Sequence, residues 1–104
     1  MGMNMQNLMR QAQKMQRQMQ QAQEELAQAE LTGMSGGGMV KVTVSGTSQI
    51  LGIQIDPEVI DPEEKEMLED LILAALQDAF GQAQALSQEK MGRFTNGMNI
   101  PGLF

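Results

Sequence analysis

Residues 39–76 read MVKVTVSGTSQILGIQIDPEVIDPEEKEMLEDLILAAL, and their patterning decides the architecture. Val40, Val42 and Val44 alternate with Lys41, Thr43 and Ser45, the period of two that marks a strand with one buried face. Gly46-Thr47-Ser48 turns the chain, and Gln49 to Ile55 returns as a second strand, where Gly52 marks a bulge or a break. Asp56-Pro57 ends it. Asp61-Pro62-Glu63-Glu64 then opens a helix, with Asp61 as N-cap, Pro62 in the first helical position, Glu64 completing a capping box, and acids placed where the helix dipole favours them. That helix is expected over residues 61–90. Its apolar residues, among them Leu68, Leu71, Ile72, Leu76 and Phe80, cover more than one stripe, so one face against one sheet cannot bury them all. A second copy of the chain is the economical cover, and these five residues are the expected dimer interface.

Upstream, Met5, Leu8, Ala12, Met15, Met19, Ala22, Leu26 and Ala29 are spaced alternately three and four apart, an uninterrupted a/d seam. The positions between are mostly Gln, a good helix former. The spacing predicts a helix over residues 4–31, roughly 40 Å long, and so an arm that projects or pairs. Residues 32–38, TGMSGGG, read as a helix breaker and flexible hinge. Gly36-Gly37-Gly38 lacks the Gly-Lys-Ser/Thr ending of a phosphate loop. The sheet is thus expected over residues 39–55 with two or three antiparallel strands, and residues 92–104 as a flexible tail. The fold class is α+β, in one domain spanning residues 1–104.

With 104 residues the core is small, and such folds need a staple: disulfides, a metal or oligomerisation. The chain contains no Cys and no His, which removes disulfides, thiolate and imidazole chemistry, and nearly every transition-metal site. Helical acids at the spacing of Glu63 to Asp70 diverge and fit no calcium loop, so no metal site is expected. Ser87-Gln88-Glu89-Lys90 fits the loose S-x-x-K pattern without any companion motif, so no enzyme is expected either. The longest apolar run, Leu71 to Leu76, falls far short of the roughly 20 residues of a membrane span. Neither an export signal nor a lipidation pattern opens the chain. A soluble cytoplasmic protein is expected.

The formal charge of −6 argues against a nucleic-acid partner until it is resolved along the chain. Residues 56–78 hold nine of the thirteen acids, whereas residues 1–23 hold Arg10, Lys14 and Arg17 and no acid. Those three cations share the helix face opposite the apolar seam. A solvated surface is the plain reading of such a stripe. A second reading makes the seam of Met5, Met15 and Met19 an adaptable groove for partner helices, a protein-interaction module without catalysis.

The segments GGGMVKVTVSG at 36–46, Ile55-Asp56-Pro57, DPEEKEMLEDLILAAL at 61–76 and Pro101-Gly102-Leu103-Phe104 make the chain resemble the YbaB/EbfC family of bacterial nucleoid-associated proteins over essentially its whole length. The resemblance implies an α–β–α protomer in an intertwined homodimer whose N-terminal helices stand out like tweezer arms. It implies duplex DNA as partner, bound in the cytoplasm at the nucleoid with little sequence specificity, and effects on nucleoid organisation and gene expression. It implies no catalytic residue, cofactor, small-molecule substrate or membrane. The family's DNA contacts lie on its terminal helices, which puts the expected DNA-binding residues at Arg10, Lys14, Arg17, Lys90 and Arg93.

Overall fold

The computed structural model describes the backbone of residues 4–96 and the side chains of residues 4–92. The first helix, α1, spans Met5–Gln28, and the Asn4 side chain caps it by accepting from the Gln6 N–H at 3.0 Å. It stops three residues short of the expected end at residue 31. Ala29 is already extended, and the Glu30–Ser35 segment pairs as a strand, β1. This corrects both the helix boundary and the hinge expected at residues 32–38. Leu31, Gly33 and Ser35 alternate toward the second helix, and Gly33 is there for contact: a Cβ would collide with the backbone of Ala75 and Ala79. Gly36, Gly37 and Gly38 all have positive φ (60°, 68° and 96°), so the glycine triplet forms a tight left-handed connection into β2.

Strands β2 (Val40–Ser45) and β3 (Ile50–Ile55) complete an antiparallel sheet of order β1-β2-β3, which also extends the expected sheet at residues 39–55 upstream. Glu30 pairs with Ser45 and Ser35 with Val40 across β1 and β2, while Val40 pairs with Ile55 and Val42 with Ile53 across β2 and β3. The register shifts between Thr43, opposite Gly52, and Val44, opposite Ile50, leaving Leu51 as the extra residue of a bulge where Gly52 suggested one.

The second helix, α2, spans Lys65–Asn96. Asp61 does act as a cap, accepting from the Glu63 N–H at 3.0 Å, but it caps a single 3-10 turn at Pro62–Glu64 before α2 begins. At the other end α2 continues six residues past Lys90 and through Gly92, into the segment expected as tail. The remainder of that expected tail, residues 97–104, lies outside the described residues.

Val40, Val42, Val44, Val59, Ala75, Ala79 and Ala83 form the buried core. Leu68, Leu71, Ile72, Leu76 and Phe80 are half-buried and pack against it. The small residues on α2 let it lie close on β1 and β2, while most of α1 points away from this body. The molecule measures 75 × 29 × 16 Å with a radius of gyration of 20.2 Å, against about 13 Å for a compact chain of this length. No described helix is long and apolar enough to cross a membrane.

Candidate nucleic-acid interface

Along α1 every residue from 4 to 18 is exposed; Met19 is the first half-buried position, and Ala22 and Leu26 are buried against the body. Among the described residues the apolar seam is therefore covered only near the C-terminal end of the helix. Arg10, Lys14 and Arg17 all lie in the uncovered part and are exposed. At 3.6 residues per turn they fall within an arc of roughly 60°, on the side opposite the seam, and span about 10 Å along the axis. The arm thus presents a short positive ridge on a rigid element, with no acid of its own sequence beside it before Glu24.

Lys90 is placed differently. Its Nζ lies 3.1 Å from Glu25 Oε2, tying the C-terminal part of α2 to α1. Part of its charge is thereby offset, although both side chains keep access to water. Arg93 lies on α2 within a turn of Lys90, and its side chain is outside the described residues. Ser87 is half-buried one turn before Lys90, whose ammonium is engaged with Glu25.

The acids gather at the far end of α2. Asp56 and Asp61 cap their turns, and Glu63, Glu64 and Glu66 sit exposed about the helix start. From Lys65 to Lys90 the axis runs roughly 37 Å, so this negative patch stands well away from the helix end that carries Lys90. Its surface depression, lined by Glu63, Glu64, Lys65, Glu66, Met67 and Glu69, is open, and no group of three or more potential metal ligands occurs among the described residues.

Sequence reasoning did not reveal the state of β3. Directly paired residues share a sheet face, so Ile50, Ile53 and Ile55 point to the same side as Val44, Val42 and Val40. Those valines are completely buried, yet Ile50 and Ile53 are 52% and 47% exposed. The reason is that α2 lies over β1 and β2 and leaves β3 uncovered. Leu51 in the bulge and Leu73 on α2 are exposed as well. The opposite edge of the sheet is closed: the Met34 N–H of β1 donates to Asp78 at 3.0 Å, and Gln82 donates to the Thr32 carbonyl at 3.0 Å.

The family described as the YbaB/EbfC DNA-binding family matches residues 1–98. A nucleoid-associated protein of Geobacillus sp. (strain WCH70) is 56% identical over 101 residues, 97% of this chain and 94% of that protein. One from Alkaliphilus metalliredigens is 48% identical over 101 residues, 97% of this chain and 89% of its own length. The crystal structure of an uncharacterized protein from Helicobacter pylori superposes with a TM-score of 0.72 at 26% identity, covering 94% of this chain and all of that one.

Proposed function

The chain belongs to the YbaB/EbfC DNA-binding family, and from that membership we propose that it binds duplex DNA as a homodimer through the basic faces of its terminal helices. The principal contacts are Arg10, Lys14 and Arg17, with Lys90 and Arg93 at the end of α2 as a second group. The observation that carries this reading is the exposed ridge on α1, free of acids and turned away from the apolar seam. Phosphate contacts fix position and carry no base information, so binding has little sequence specificity. The work suited to such contacts is organisation of the nucleoid, with consequences for gene expression, and it needs no catalytic step and no cofactor. The negative patch at the start of α2 keeps that end of the body off the duplex and orients the protomer with α1 toward it.

The second copy seats on β3. Its exposed Ile50, Leu51 and Ile53, together with Leu73, form an apolar surface beside an unpaired strand edge, which supports pairing with an identical chain. Helical phase puts Leu76 and Phe80 on the flank of α2 away from β1, next to this surface, while Leu68, Leu71 and Ile72 turn more toward the protomer's own sheet. On this reading Leu76, Phe80 and the β3 isoleucines form the centre of the interface, and Leu68, Leu71 and Ile72 lie on its inner side.

Fluorescence anisotropy of a labelled 30-base-pair duplex tests the DNA reading. Three α1 cations in each of two protomers meet at most six phosphates, for a log–log salt slope of about −5. Wild type is expected to bind saturably and weaken with salt, and Arg10→Gln/Lys14→Gln/Arg17→Gln to lose binding. Absence of wild-type binding at low salt would sink the reading. The rival, a protein-interaction module on Met5, Met15 and Met19, is favoured instead if the triple variant keeps a partner protein while neither form binds DNA.

A further inference from the structure

The polar side of the α1 arm holds more than its three cations. From Asn4 to Gln23 the chain carries ten Asn and Gln residues beside Arg10, Lys14 and Arg17, and no Ser, Thr, Asp or Glu. Water would be satisfied by acids as well: Glu and Gln have nearly the same helix propensity, and α2 meets solvent in part with Glu66, Glu69, Asp70, Asp78 and Glu89. Solvation alone therefore does not account for the amides of α1. An anionic partner does, because it repels a carboxylate and accepts from an amide N–H. Helical phase then sorts these amides. With Arg10 as zero, Gln6, Gln13 and Gln21 fall at about −40°, −60° and +20°, beside Lys14 and Arg17, and each lies one turn from a cation. Gln11, Gln16 and Gln23 fall about 100° or more away. All three facing amides are exposed, and their side chains make no hydrogen bond within the protein among the described residues. On α2, by contrast, Gln82 spends its amide inside the fold, donating to the Thr32 carbonyl at 3.0 Å and to Asp78 at 3.3 Å.

We propose that Gln6, Gln13 and Gln21 are further DNA-contacting residues, whose side-chain amides donate to phosphate oxygens of the duplex alongside Arg10, Lys14 and Arg17. This assignment rests on the duplex-binding reading above and deepens it. The cations alone cover about 10 Å of the arm, and with the amides the contact stripe lengthens to about 22 Å. It stops before Glu24, the first acid of α1. The two kinds of contact differ physically. A cation gains affinity by releasing counterions from the duplex, a gain that salt removes, whereas a neutral amide releases none and contributes equally at every salt concentration. That suits a chain with a formal charge of −6 and only seven Lys and Arg residues. With phosphate as the acceptor, the amides also carry no base information and leave sequence specificity low.

Anisotropy of the labelled 30-base-pair duplex, titrated with the full chain at several salt concentrations, separates the two kinds of contact. Gln6→Ala/Gln13→Ala/Gln21→Ala keeps α1 helical, because Ala is the strongest helix former, and circular dichroism verifies that lost affinity does not report a lost helix. This variant is expected to bind about tenfold more weakly at every salt concentration, with the log–log slope of wild type. Gln11→Ala/Gln16→Ala/Gln23→Ala makes the same change off the cationic face and should stay within about twofold of wild type. Equal affinities of the two variants would overturn the proposal and leave the amides as a solvating surface. A weaker complex with a shallower slope would overturn it too, since the loss would then run through Arg10, Lys14 or Arg17. A wild type that does not bind the duplex at low salt is a separate result: it removes the DNA reading itself and the amide assignment with it, whereas failure of the amide variants alone leaves the cation contacts in place.

Discussion

The two edges of the sheet are built from similar strands and treated in opposite ways. At β1, α2 comes so close that position 33 has no room for a side chain, Asp78 and Gln82 take up outward backbone groups, and the Ser35 hydroxyl donates to the Leu71 carbonyl. At β3, three large apolar residues are exposed and the outer strand edge is unpaired among the described residues. Edge strands invite pairing, and proteins close the edges at which pairing is unwanted. The contrast supports the proposal that a second copy seats on β3 and not on β1.

The sharpest break of this contrast is Gly33→Val. Its side chain would enter the backbone of α2 at Ala75 and Ala79, force the helix off the sheet and open the core above Val42. A loss of more than about 4 kcal/mol is expected, read as a collapse of the urea midpoint. Gly52 on β3 has nothing within 4 Å of an added Cβ, so Gly52→Ala should move the same midpoint by less than about 0.5 kcal/mol. Equal effects at the two glycines would mean that the edges do not differ as described.

Next comes Ile53→Asp. Ile53 is half exposed in the protomer, so the change costs the isolated fold little, but in the proposed dimer it buries a carboxylate in an apolar contact. Association should weaken by about 2–3 kcal/mol, near a hundredfold, read by light scattering across a dilution series. Leu68→Ala, turned toward the protomer's own sheet, should lower stability more than it lowers association. A dimer indifferent to Ile53→Asp would move the interface off β3.

The same contrast explains which parts of the molecule were legible in the sequence. Strand β2 announces itself because Val40, Val42 and Val44 fill their inward positions with large branched residues. Strand β1 hides because close approach of α2 leaves room inward only for Leu31, Gly33 and Ser35, and small residues in a stretch ending in three glycines look like a loop. The α1 boundary was obscured by Ala29, which continues the heptad seam although the chain has already turned extended. For the candidate site, helical phase alone put Arg10, Lys14 and Arg17 on one face, since a helix surface is a local property. The pairing of Lys90 with Glu25 joins residues 65 apart in sequence, and no local pattern carries it. Nor does local pattern tell a covered strand from an uncovered one: Ile50 and Ile53 would read the same beneath a helix.

That ion pair also yields the smallest expected effect. It closes the junction of α1 and α2 as Asp78 and Gln82 close β1, but it does so with a cation of the proposed DNA-binding set. Pairs with this much water access contribute about 0–1 kcal/mol to stability, so Glu25→Gln should leave the urea midpoint nearly unchanged. It removes a negative charge next to Lys90 and some 12 Å along α1 from Arg17. Duplex affinity should therefore rise, by less than about threefold, with a salt slope steeper by up to about one unit per protomer if Lys90 then meets a phosphate. An unchanged slope would confine the DNA surface to the arm, beyond the reach of the junction, and would make Lys90 a fastening between the helices.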